Sequence, residues 1–177
     1  MQRNLQRRLQ RQATFQSAAF TGALLLTLCG PSAWAGEAAV AMPQSVDGTA
    51  FTSEREAVVW RREELKDIES LVRQLRFDLV NNQDAAAAAP RLAELRERAS
   101  AGNLLPAFIA GTHGSGSEAR ADIWAEWDDF VAGFHDLEVK VDTLIEATDQ
   151  ADYRAAARAL AEVGASCKSC HRAYRYD

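Results

Sequence analysis

Apolar residues in the second half of the chain alternate strictly: Ile123, Trp127, Phe130, Phe134, Leu137, Val141 and Leu144 stand 4, 3, 4, 3, 4 and 3 positions apart. That spacing lays one seam along an α-helix and is the pattern of a helix packed in a bundle. Ala156, Leu160, Val163, Cys167, Cys170 and Tyr174 repeat it and predict a helix over residues 150–174. A third such stretch spans residues 53–80, where Leu65, Ile68, Leu71, Val72, Leu75 and Leu79 share a face and charged residues take the others. Asn81-Asn82-Gln83 ends it. A shorter helix follows Asp84, a candidate N-cap, and runs to Ala99 with Leu92 and Leu95 inward; Pro90 predicts that regular winding begins there, after a loose entry over 85–89. Residues 100–117 read as a glycine-containing loop whose Leu104, Leu105, Phe108 and Ile109 turn inward. Four helices with short links predict an all-α fold, an antiparallel up-down-up-down four-helix bundle. The aromatic stripe of the third helix reads mostly as core. The alanines along the fourth read as space for something large and flat.

The beginning of the chain has a different character. Arg3, Arg7, Arg8 and Arg11 precede an apolar run from Ala18 to Leu28, and Ala33-Trp34-Ala35 follows. This is the pattern of a secretory signal peptide, with cleavage expected after Ala35. The apolar run is about half the roughly 20 residues a permanent membrane span needs. Lipoprotein processing at Cys29 would want a small residue where Leu28 stands, and the residues flanking Arg7-Arg8 do not support a twin-arginine route. The expected organisation is therefore a leader at 1–35, a mobile segment at 36–50 and the helical domain at 51–177. Without the leader, 16 basic side chains face 25 acidic ones, a charge of about −9. With no basic stripe evident along the sequence, nucleic acid is excluded as a partner. No later apolar run is long enough for membrane insertion, so the exported chain is expected to be soluble.

Cysteine use narrows the chemistry. Cys29 leaves with the leader, and the remaining two stand in Cys167-Lys168-Ser169-Cys170-His171. In an exported protein this spacing reads first as attachment of a c-type haem, by two thioether bonds and an imidazole to the iron. On a helix the three groups lie at i, i+3 and i+4, projecting from one face within about one turn. A disulfide or thioredoxin-like pair competes, as does a zinc site completed by His113 or His135. The redox pair expects a strand before it and zinc a recognised ligand spacing, and neither pattern is present.

Val163-Gly164-Ala165-Ser166-Cys167-Lys168-Ser169-Cys170-His171, continued by Ala173-Tyr174-Arg175, resembles the closing signature of the cytochromes c prime. These are periplasmic four-helix-bundle haem proteins of bacteria. Phe108, Gly111-Thr112, Arg120 and Ile123-Trp124 resemble that family's loop into its third helix, and the likeness spans most of the chain after the leader. Arg55 resembles the arginine that opens the family's first-helix motif and approaches a haem propionate, with Glu56 where a glutamine is usual. The resemblance implies one haem c, bound covalently through Cys167 and Cys170 and enclosed by the bundle, with His171 as the iron ligand. It further implies a pentacoordinate, high-spin iron, an apolar distal face open to nitric oxide and carbon monoxide, and a homodimer through the first two helices. In six-coordinate relatives a methionine four residues after the arginine ligates the iron; that position here is Val59, which cannot. Met42 precedes the first helix. The expected haem-contacting set is thus Cys167, Cys170, His171, Arg55, Glu56, Val59, Phe108, Arg120 and Arg175. Arg175 is one helical turn from His171, within reach of its imidazole or a propionate. His113 and His135 read as surface or loop residues.

The function expected is gas binding, with electron transfer to periplasmic redox partners. The alternative is a six-coordinate electron-transfer cytochrome with no gas-binding role. A peroxidase-type enzyme would need an acid or base beside Val59, and none is evident.

Overall fold

The computed structural model describes residues 39–114 and 116–176, and the expected leader at 1–35, with Cys29, lies outside the described residues. Side-chain caps set the helix starts. Ser53 accepts from the Glu56 N–H (3.2 Å), Asp84 from Ala87 (2.9 Å) and Asp152 from Ala155 (2.9 Å), each satisfying a donor that the first helical turn leaves free. The resulting long helices are α1, Glu54–Arg76, extended by a π-helical turn Phe77–Asn82, and α2, Ala85–Arg98. Two single-turn helices, α3 (Ala101–Leu104) and α4 (Asp122–Ala125), lie in the long connection, before α5 (Trp127–Asp149) and α6 (Tyr153–Tyr174). The four long helices form the antiparallel up-down-up-down bundle, with α5 and α6 the most extensively packed pair.

Two expectations are corrected. Helix α2 is regular from Ala85, not from Pro90. Proline removes one backbone bond in the second turn, and the Arg91 guanidinium donates to the adjacent Ala87 carbonyl (2.7 Å). The seam from Ile123 to Leu144 is not one helix either, because Glu126 leaves helical geometry (φ −119°, ψ 42°) and separates α4 from α5.

The remainder of the pattern folds as its periodicity demands. Ile68, Leu71 and Leu75 from α1, Leu79 from the π-helical turn, Leu92 and Leu95 from α2, and Val141, Leu144, Leu160 and Val163 from α5 and α6 are buried together. Leu104, Leu105, Phe108 and Ile109 of the connection are buried too. In the π-helical turn Asp78 is buried and its carboxylate receives Arg91 of α2 (2.7 Å). Residues before α1 lie on the bundle: the Trp127 indole N–H donates to the Val40 carbonyl (2.7 Å), and the Ala110 N–H to that of Pro43 (2.8 Å). Ala156 and Ala159 are buried and are not among the residues that line the cavity described below, so they do not provide the open space expected of them.

Helix α5 ends with Ala151 in left-handed conformation (φ 52°). Ala151 N–H bonds to Thr148 O (2.9 Å) and Asp152 N–H to Ala147 O (3.0 Å), the paired bonds of a Schellman cap. Glycine usually fills that position because a Cβ is strained there. Replacing Ala151 by Gly should stabilise the fold by about 0.5–1 kcal/mol, part of the relieved strain being offset by a freer unfolded chain. Thermal unfolding should show the midpoint rising by about 2–4 °C.

Candidate functional site

The seam of α1 contains a charge. Ala57, Arg61, Ile68, Leu71 and Leu75 are its buried residues, so helical periodicity drives the Arg61 guanidinium into the interior, where only 2% of the residue is exposed. Among the described residues no carboxylate meets it. Nη1 donates to Ala107 O (3.0 Å) and Thr112 Oγ1 (2.7 Å), and Nη2 donates to Thr112 O and to Ser117 Oγ (2.7 Å). The rings of Phe108 and Trp124 lie 4.9 and 5.8 Å from its central carbon, within cation–π range. Burial draws its pKa down to about 10, which still leaves it charged at neutral pH.

Beside this cation a cavity of about 300 Å³ lies between α1, the long connection and the end of α6. Arg61, Leu65 and Glu69 form one side, Phe108, Ile123, Phe130 and Phe134 the apolar floor, and Cys170, His171, Tyr174 and Arg175 the other side. The aromatic stripe is therefore divided between two tasks. Trp127 packs in the core, whereas Phe130 and Phe134, in edge-on contact at 5.2 Å, face the cavity. Glu118 closes the rim, with Oε2 on Arg175 Nε (2.8 Å) and Oε1 on Arg62 (3.5 Å). Backbone bonds from Arg120 N–H to Tyr174 O (2.9 Å) and from Tyr176 N–H to Glu118 O (2.8 Å) fix this loop to the end of α6.

Cys167 and Cys170 are free, half-buried thiols one turn apart. Burial raises both pKa values, that of Cys170 to about 11. Reactive redox pairs depend on the opposite shift, so the thioredoxin-like alternative is disfavoured. For zinc, no group of three or more His, Cys, Asp or Glu is placed to hold a metal among the described residues. Burial, and then the Arg175 guanidinium, lower the pKa of His171, leaving a neutral imidazole with a free lone pair at neutral pH. Two thiols, this imidazole and an apolar cavity with a cation at its inner end fit a porphyrin with its propionates.

The expected contact set is only partly brought together. Cys170, His171, Phe108 and Arg175 line the cavity, and Cys167 is the turn behind. Arg55 and Glu56 are exposed, Val59 is 52% exposed, and none of the three lines the cavity. The Glu56 carboxylate accepts from the Thr52 N–H instead (2.8 Å). Six residues turn an α-helix through about 240°, so the argument that centred on Arg55 points to another face than Arg61 does. Arg120 also lies outside the cavity and pairs with Asp122 (2.8 Å). Sequence reasoning missed Arg61 and Leu65. The available signal was a lone arginine on the apolar seam, four residues before Leu65 and seven before Ile68.

A family profile described as Cytochrome C′ matches residues 56–175. The cytochrome c′ of Pararhodospirillum photometricum is 30% identical over 123 residues, 67% of this chain and 94% of that protein. That of Alcaligenes xylosoxydans xylosoxydans is 42% identical over 72 residues, 39% of this chain and 53% of that protein. Among solved structures, recombinant native cytochrome c prime from Alcaligenes xylosoxidans aligns with a TM-score of 0.64 and 28% identity, covering 72% of this chain and 99% of that one. A ferrous variant of the same protein with bound NO gives 0.65 and 27%, covering 72% and 98%. A carbon monoxide-bound variant gives 0.64 and 28%, covering 72% and 99%.

Replacing Arg61 by Leu removes the donor for acceptors on Ala107, Thr112 and Ser117 and should cost about 3 kcal/mol in urea unfolding. Arg61→Lys should recover only part of this, because a compact ammonium cannot span those groups as the guanidinium fork does.

Proposed function

The chain belongs to the cytochrome c′ family, whose members carry one covalently attached c-type haem, and we propose that it is an exported gas-binding haem protein of the periplasm. Residues 1–35 would be removed on export. Cys167 and Cys170 would hold the haem by thioether bonds, and His171 would supply the protein ligand to iron. A bound haem would supply an iron able to take a diatomic ligand. Arg61, buried beside the cavity without a carboxylate of its own, suits a propionate.

Leu65 carries this reading. It stands four residues after Arg61 and, like His171, lines the cavity, which it enters from α1. A hydrocarbon there has no lone pair to give the iron and no donor for bound dioxygen. Met42 packs against the hydrophobic core and is not among the cavity residues. Small uncharged ligands are favoured by such a wall, and relatives of this fold bind NO and CO.

The reduced protein should show a high-spin absorption spectrum that shifts on adding carbon monoxide; an unchanged low-spin spectrum would overturn the proposal. Leu65→Met should convert the spectrum to low-spin and abolish the carbon monoxide response. Exposed Val59 and Phe77 (52% and 57%) lie on one face of α1, eighteen residues and five full turns apart, supporting self-association there. Gel filtration should show a dimer, and Phe77→Arg should shift it to the monomer position.

A further inference from the structure

Among the described residues, ion pairing is general outside α6 and missing on its outer face. Over residues 39–152, eight of eleven basic side chains are paired with a carboxylate. Arg154, Arg158, Lys168 and Arg172 of α6 are all exposed, and none makes an ion pair among the described residues. At about 100° per residue the four fall within about 80° of one another, and Ala161 and Ala165 fill the same stripe. The only carboxylate of α6 itself, Glu162, lies about 80° round from Arg154. The sequence, in which the four cations are 4, 10 and 4 residues apart, gave no sign of a basic stripe. Helix geometry assembles one.

Its charge contrasts with the body of the protein. Residues 39–152 carry eleven basic side chains against twenty-two acidic, whereas residues 153–176 carry five against one. From Arg154 to Arg172 the stripe runs about 27 Å, a length suited to a protein footprint of about 800 Å². At one end it flanks the haem-attachment turn, with Lys168 and Arg172 about 60° and 100° round the helix from exposed His171.

We propose that the outer face of α6 docks an acidic one-electron redox protein. This rests on the haem reading above and gives the chemistry of the partner. A compact acidic patch fits better than an anionic membrane, since an extended negative surface would also meet the acidic body. In the encounter one electron passes from the reduced partner to ferric iron. The partner is oxidised by one electron, the iron becomes ferrous, and no bond or proton is exchanged.

The test uses the haem-loaded protein with reduced plant-type [2Fe–2S] ferredoxin, an acidic one-electron donor, followed by stopped flow. Reduction should slow about tenfold as ionic strength rises from about 10 to 200 mM, because screening removes the attraction. Lys168→Glu with Arg172→Glu should slow it about tenfold at low salt. Arg76→Glu with Arg96→Glu changes net charge equally and should leave the rate within about twofold. Acceleration by salt, or equal slowing by both variant pairs, would overturn the proposal, since net charge would then govern the encounter. So would sedimentation with phosphatidylglycerol vesicles that Lys168→Glu and Arg172→Glu abolish while the ferredoxin rate is unaffected. Calorimetric titration with oxidised ferredoxin reads docking without electron transfer. A missing haem c band in the alkaline pyridine spectrum sinks the haem reading instead, and calorimetry still decides the docking surface.

Discussion

A buried guanidinium that meets no carboxylate among the described residues is the constraint around which the cavity is built. Desolvating a charge is costly unless its donors find acceptors, and Nη1 and Nη2 of Arg61 make four hydrogen bonds to acceptors from residues 107, 112 and 117. Those acceptors belong to the long connection between α2 and α5, so the connection must fold back over α1. Phe108 and Trp124 complete the cage with their ring faces. The same fold-back carries Phe108 to the cavity and brings Glu118 to the end of α6, where it pairs with Arg175. One cation thereby sets the course of a segment that has little regular structure of its own.

Helix α6 presents three chemistries, two along its inward seam and one on its outer face. Ala156, Leu160 and Val163 pack into the core, and small residues allow α5 to approach closely. One turn further on, the cysteines and His171 come to the cavity edge, where burial keeps the thiols protonated and the imidazole neutral. The outer face keeps its cations unpaired in a protein that pairs most others. Aromatic residues of α5 join core and cavity: Phe130 touches Phe108, Phe134 and Tyr174, with ring centroids 4.9–5.3 Å apart. Core packing and the cavity floor are thus one continuous surface, and a change in either is felt by the other.

The bundle was legible in the sequence because helical periodicity is local. Spacings of three and four identify which residues of each helix face inward, and Leu75, Leu79, Val141, Leu144 and Val163 obey them. Asp84 as a cap and the inward-turning Leu104, Leu105, Phe108 and Ile109 were likewise readable from residue type. The pentapeptide Cys167–His171 was readable as a candidate haem-attachment site, since its chemistry lies within five consecutive residues of one helix.

Tertiary structure alone decided what crosses between segments. Whether Arg55 or Arg61 faces the cavity depends on helix rotation relative to a loop fifty residues away, and a local motif does not contain that angle. Whether an alanine face leaves room or closes it depends on how near α5 comes. Arg120, plausible as a contact from its loop, spends its charge on Asp122, and the outer stripe of α6 exists only once residues ten apart in sequence share a helix face. Local hydrogen bonding and periodic burial fix elements within a few residues, whereas sites depend on long-range packing and on where each charge finds its partners.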